Sequence, residues 1–206
     1  MTAMESLVAF TLAASLLTVT PGLDTALILR TAAVEGPRQA LRAALGINVG
    51  CLLWGTAVAF GLGAVLQVSE WAYNLVRYCG AAYLCWLGIT LLLRPRTTLG
   101  SLPAHVQPRT NWFIRGVVGN LLNPKVGFFY VSFLPQFIPQ GAALVSWTFG
   151  LVAIHVALGV AWSGVLIALT RPLGTLLQRP AVIRWMDRAM GGLFLCFAAK
   201  LALGRR

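Results

Sequence analysis

Charge is what this sequence most lacks. Of 206 residues only 10% are Asp, Glu, Lys or Arg, and only five are acidic. A soluble domain carries roughly 25% charged residues. A chain so poor in polar surface cannot face water all round. With 58% hydrophobic residues and a mean hydropathy of +0.80, it reads as an all-α integral membrane protein whose first partner is the lipid bilayer. A basic tract is missing too. The net charge is +11, but the basic residues sit in short gaps between apolar runs. There they meet water and anionic lipid, and the distribution speaks against nucleic acid as a partner.

Metal-binding patterns are also absent. Cys51, Cys79, Cys85 and Cys196 all lie in apolar runs without metal-ligand spacing and read as small packing residues. The two histidines and five acids are scattered, so the chain offers no metal site and no ligand set for exporting a divalent metal. The pattern Gly-x-x-x-x-Gly-Lys-Ser/Thr does not occur, which argues against ATP hydrolysis within this chain. Nothing calls for a cofactor. The N-terminal Met-Thr-Ala-Met-Glu holds no Lys or Arg, and no clear cleavage site follows. This run is expected to be retained rather than removed as a signal peptide.

What is present is a series of apolar segments. A transmembrane helix needs about 20 such residues. Six candidates span about 5–30, 43–66, 71–93, 116–138, 143–169 and 182–203. No charge occurs between Val126 and Thr170, and "PQFIPQG" (135–141) is the expected turn between spans four and five. Loop one holds Arg30, Arg38 and Arg42; loop three holds Arg94, Arg96, Arg109 and Arg115; loop five leads through Arg171 and Arg179 to Arg184, Asp187 and Arg188. The other two loops are nearly bare, with Glu70 alone in the first. By the positive-inside rule loops one, three and five are cytoplasmic and both termini outside, although Lys200, Arg205 and Arg206 argue against an outside C-terminus.

The chain also resembles itself. "RYCGAAYLCWLG" (77–88) aligns without gaps to "RAMGGLFLCFAA" (188–199), and "TPGLD" (20–24) has a counterpart in "NPKVG" (123–127). With three spans per half, the second half enters from the opposite side. The expected fold is six transmembrane helices as a 3+3 inverted repeat with proline-broken helices one and four. It forms a single transporter domain over 1–206, with halves about 1–95 and 111–206.

The two breaks carry the chemistry. Thr20-Pro21 and Asn123-Pro124 each read as an N-cap followed by proline at the first helical position, with Gly22 loosening the first break. Each proline strips an N–H from the helix. In lipid the carbonyls left behind are tolerated only where protein or water covers them. The new half-helices present positive ends, which in an inverted repeat converge on a site suited to a carboxylate. A plain proline kink is the bland alternative. Just past the prolines stand Asp24 and Lys125. A charge at mid-membrane costs at least about 2.5–3.5 kcal/mol, so such charges are functional or paired. One reading is a static Asp24–Lys125 ion pair. The sharper one has Asp24 bind an ammonium group or a proton while Lys125 and the helix ends bind a carboxylate, the two charges of an amino acid. Asn48 in span two and His155 in span five either line a cavity or bond between helices. Gly46, Gly50 and Gly55, and Ala153, Ala157 and Ala161, read as close-packing faces.

"TPGLD", "GINVGCLLWG" (46–55), "AAYLCWLG" (81–88) and "NLLNPKVGFFYVSFLPQF" (120–137) together resemble the lysine-exporter (LysE) superfamily, and within it the resistance-to-homoserine/threonine (RhtB) branch. The likeness covers nearly the whole chain. It implies a transporter rather than an enzyme: a multi-pass amino-acid exporter of the bacterial inner membrane, taking a small-molecule amino acid or related metabolite. A homo-oligomer is compatible with it. The family's first motif usually reads Pro-Gly-Pro before Asp or Asn, whereas Leu23 stands here in place of the second proline. Without a nucleotide motif, export is expected to be secondary-active, driven by an ion gradient, the membrane potential or the substrate gradient itself, with the proton gradient as the expected source. The alternative is a membrane thiol–disulfide carrier using Cys85 and Cys196, which fall on matched positions of the two halves. Neither lies beside a break, and a reactive thiol needs thiolate-favouring surroundings.

Overall fold

The helices begin and end where local chemistry directs. The computed structural model describes residues 2–62, 70–95, 111–139, 141–177 and 179–203, and every regular element among them is helical. Helix α1 (Ala3–Val19) opens on a capping box in which the Thr2 hydroxyl accepts from the Glu5 N–H and the Glu5 carboxylate from the Thr2 N–H. Helix α2 (Leu23–Val34) follows at a 49° bend. Helix α3 (Pro37–Ala57) starts with proline in its first turn, after Gly36 at φ 89°, and closes in a π-helical turn over Val58–Leu62. Then come α4 (Glu70–Leu93) and α5 (Trp112–Leu121), the latter capped by the Asn111 side chain. Helix α6 (Pro124–Phe128) passes into a π turn (Phe129–Phe133) and a 3₁₀ turn (Leu134–Phe137). Helices α7 (Leu144–Ala168), α8 (Thr170–Leu177) and α9 (Pro180–Leu203) complete the order.

Several sequence expectations change at this level. Among the described residues, α3 with its π turn and α7 are long and apolar enough to cross a membrane, and α1 with α2 is a third such segment if taken as one bent span. Arg30, Arg38 and Arg42 sit on helices α2 and α3, because the connection between them shrinks to Glu35 and Gly36. The turn after span four is helical through Phe137, and α8 is a short helix where a loop was expected. Thr20 is not an N-cap: it closes α1, and Gly22 opens α2, leaving Pro21 between the two helices. The reason is the Thr20 hydroxyl, which donates 2.5 Å back to the Leu16 carbonyl instead of forward to α2. Ala153, Ala157 and Ala161 are exposed, because α7 packs through Leu151, Val152 and His155 on its opposite side. Arg96, Arg109, Arg205, Arg206 and positions 63–66 of span two lie outside the described residues.

Contacts fix the helix directions. The Ser6 hydroxyl donates to the Phe137 carbonyl, and Lys125 donates to the Leu17 carbonyl. So α1 runs antiparallel to the segment from α6 to Phe137. Gly55 backs onto Val152 and Gly159 onto Asn48, which makes α3 and α7 antiparallel. By contrast α3 and α5 are parallel: Gly46 lies against Phe113 and Val117, and Gly50 against Asn120. Added Cβ atoms would stand 2.0 Å from the Phe113 carbonyl oxygen at Gly46, and 2.1 Å from that of Ala43 at Gly116. Those glycines let the two backbones touch, as small residues do between membrane helices.

Polarity is inverted relative to a water-soluble protein. Large apolar side chains such as Leu12, Leu41, Trp86, Leu122 and Trp185 are exposed, while Asn48, Asn120, Asn123, Thr148 and Asp187 are buried. Such a surface suits lipid. Between Ser6 and the breaks the interior is apolar and aromatic. Phe10, Phe129, Phe133 and Phe137 are buried there, with ring centroids 5.0 Å apart for Phe129–Phe133 and 5.4 Å for Phe10–Phe137. The polar residues gather beyond this plug.

Candidate functional site

Each break supplies groups that the other uses. At the second, the Asn123 side chain accepts from the Lys125 backbone N–H at 3.1 Å, and Pro124 fills the first helical position where no N–H is needed. This cap aims Lys125 across to the first break. There Pro21 has no N–H to offer the Leu17 carbonyl four residues back. The Lys125 ammonium takes that place, donating 2.8 Å to the Leu17 carbonyl and 2.8 Å to that of Thr20.

Asp24 lies in the first turn of α2. Its carboxylate accepts from the Asn120 side-chain N–H at 2.9 Å, and Asn123 faces it as well. Lys125 is near enough to act electrostatically on both Asp24 and His155. Asn120 in turn lies 3.6–3.8 Å from the Cys51 sulfur. His155 Nδ1 and the Tyr130 hydroxyl share a hydrogen bond of 2.9 Å, placing His155 where the aromatic plug meets the polar interior. Asn48 donates 2.8 Å to the Ala44 carbonyl of its own helix.

All six polar residues singled out from the sequence line one cavity: Thr20, Asp24, Asn48, Asn123, Lys125 and His155, with Gly22 beside them. Its volume is about 70 Å³. Pro21 and Pro124 set the breaks that frame it but are not among its walls. Sequence reasoning missed Asn120, Cys51, Thr25, Trp162 and Ser163, which also line it. Asn120 carried a usable signal, being a polar side chain in an apolar segment four residues before Pro124. Cys51 gave none, being indistinguishable from a packing residue.

A narrow cavity between two broken helices, with an acid and a base among its lining residues, fits the discontinuous-helix sites of membrane transporters. The family model of LysE type translocators matches residues 15–205. The chain belongs to the LysE-type translocator family. It is 31% identical over 209 residues to a homoserine/homoserine lactone efflux protein of Salmonella typhimurium, covering 96% of each chain. It is 30% identical to a leucine efflux protein of Enterobacter, over 94% of this chain and 93% of that one. A threonine efflux protein of Escherichia coli K12 is 25% identical over 91% and 92% respectively. No solved structure matches.

Within this LysE-type chain Leu23, where the sequence resemblance led to the expectation of a second proline, is the first residue of α2 and exposed. The 49° bend forms without it. The four cysteines are free thiols, and Cys196 is exposed while Cys51 is buried in the cavity wall. The thiol–disulfide reading gains nothing from this arrangement, nor from relatives that are efflux proteins.

Proposed function

We propose that this protein exports amino acids, or closely related small metabolites, across the bacterial inner membrane by proton-coupled secondary transport. One observation carries the reading: Asp24 and Lys125, both partly buried, line a single cavity between the two helix breaks, in a chain whose relatives are amino-acid efflux proteins. The cavity matches the two charges of an amino acid. Lys125 meets the carboxylate, exchanging backbone carbonyls for it. Asp24 meets the ammonium group or carries the proton, held in place by Asn120. Thr20, Asn48, Asn123 and His155 supply the polar walls.

The helix directions support the 3+3 inverted repeat. Segments one and four run antiparallel, as do two and five, and segments two and four run parallel. Six crossings in sequence require this pattern. Both termini then lie outside, with Arg38 and Arg179 in the cytoplasm. Cysteine labelling at positions 38, 70, 140 and 178 tests the orientation; labelling of 70 and 140 from the cytoplasm would reverse it. The function itself is tested by efflux from proteoliposomes across a panel of amino acids, with and without a proton gradient. Export of at least one amino acid, accelerated by the gradient, is expected. Export indifferent to the gradient removes the proton, and no export of any amino acid removes the reading.

A further inference from the structure

A second cavity adjoins the first. Its volume is about 280 Å³, against about 70 Å³ for the cavity at Asp24. Lys125 and both breaks line the two cavities alike, so this lysine is shared between them. The remaining walls come from α4 and α9: Thr90 and Arg94 from the first, and Asp187, Met190 and Phe194 from the second.

Asp187 is the feature that calls for explanation. It is 1% exposed, the most deeply buried carboxylate among the described residues that burial places in the interior, and it opens onto this cavity. It keeps an interaction with the protein. A carboxylate offers about four acceptor sites and can hold more than one donor at a time. Arg94, at the end of α4, is exposed and reaches the same cavity from its rim. Its guanidinium suits a carboxylate, which it can grip with two parallel hydrogen bonds. Met190 and Phe194, both 2% exposed, give an apolar floor between the charges.

Two cations and one anion around a small apolar floor suit the carboxylate and ammonium groups of a zwitterion. We propose that this cavity is a second binding site for the transported amino acid: Arg94 and Lys125 take the carboxylate, Asp187 takes the ammonium group. The inference rests on the export reading. The wide site holds the substrate first, and Lys125, already in contact with its carboxylate, passes it to the narrow cavity at Asp24. The carboxylate is never without a cation during that transfer, so the cost of an unpaired charge in the membrane interior is avoided.

The test is the initial rate of efflux from loaded proteoliposomes as a function of internal amino-acid concentration, for the wild type, Arg94→Gln, Arg94→Lys and Asp187→Asn. Rates are taken per molecule of folded protein. Arg94→Gln and Asp187→Asn are expected to raise the half-saturating concentration about 10-fold, the equivalent of one charge-assisted hydrogen bond, with the maximal rate within about twofold. Arg94→Lys keeps the charge but loses the paired hydrogen bonds, so its half-saturating concentration should fall between those of the wild type and Arg94→Gln. If Asp187→Asn does not reach the membrane, Arg94→Gln decides alone, because Arg94 is exposed and its loss leaves the core intact. Wild-type half-saturation in Arg94→Gln, or a fall in maximal rate alone, overturns the second site while leaving export standing. A wild-type protein that exports no amino acid overturns the export reading, and the second site with it.

Discussion

The two helix breaks begin as counterparts in sequence, a polar residue before a proline, and end as opposites in structure. Asn123-Pro124 is self-sufficient: the asparagine caps the helix that follows, and the proline occupies the one position where a missing N–H costs nothing. Thr20-Pro21-Gly22 is not. No side chain caps α2, the threonine hydroxyl turns back to Leu16, and the Leu17 and Thr20 carbonyls take their donor from Lys125, more than 100 residues away in sequence. One break is built locally and the other is completed by its counterpart. A lysine that completes a helix break is bound to respond when a substrate carboxylate competes for it.

The largest effect should therefore follow from removing the lysine. Lys125→Ala takes away the cation of the cavity and strands two buried carbonyls, each hydrogen bond to a charged group being worth about 1.5–3 kcal/mol. Efflux per molecule is expected to fall at least ~100-fold, with lower but measurable protein in the membrane. Lys125→Arg should rescue poorly, because a planar fork does not replace a compact ammonium between two carbonyls. Full efflux in Lys125→Ala would take Lys125 out of the site.

Asp24 separates a working pair from a static one. Asp24→Asn keeps the size and an acceptor oxygen for Asn120. The expectation is a protein that folds and inserts, loses proton-driven efflux, and retains exchange down a substrate gradient. A static ion pair predicts otherwise: the single change destabilises the protein by leaving Lys125 without its counter-charge, and a neutral residue at 125 restores both level and activity. Membrane abundance and pH-dependent efflux of the single and double mutants distinguish the two. Full efflux in the neutral double mutant would end the coupling role.

The asymmetry of the breaks gives a sharper pair. Pro21→Ala restores an N–H that competes with Lys125 for the Leu17 carbonyl, pulling the helix straighter. Pro124→Ala restores an N–H at a position where helices leave it unpaired. Efflux is expected to drop about 10-fold in the first variant and by less than about twofold in the second. Equal losses would mean that the breaks act alike and that Lys125 does not complete one of them.

How far the sequence reached can be read at these same residues. Intramembrane charge is so costly that Asp24 and Lys125 announce themselves, and proline at a break is visible for the same reason: both violate what an apolar helix requires. Thr20 and Asn123 were legible as the polar residues at the breaks, whereas polarity alone left Asn48 and His155 open between a cavity wall and a bond between helices; both line the cavity, and His155 also bonds Tyr130. What stayed hidden depends on rotamers and on distance across the fold. A threonine hydroxyl bonds forward as a cap or back to the carbonyl four residues before it, and the sequence is identical in both cases. Asn120 and Cys51 entered the site through the close approach of α3 and α5 at Gly46 and Gly116. The alanines of α7 carried a packing pattern but face outward, because small residues are tolerated against lipid as well as against a neighbour.

The smallest expected effect tests that choice of threonine rotamer. If Asn123 is a cap and Thr20 is not, their removal should differ in stability even though the sequence motifs match. Asn123→Ala deletes the acceptor of the Lys125 N–H and should cost about 1 kcal/mol, the usual loss for an asparagine N-cap. Thr20→Val keeps the shape and deletes only a hydroxyl whose partner, the Leu16 carbonyl, also accepts the Thr20 backbone N–H at 3.0 Å. That carbonyl stays satisfied, so the loss should be below about 0.5 kcal/mol. Thermal unfolding of the purified variants in one detergent measures the order. A larger loss at Thr20 than at Asn123 would return the cap of α2 to the threonine and make the two breaks equivalent after all.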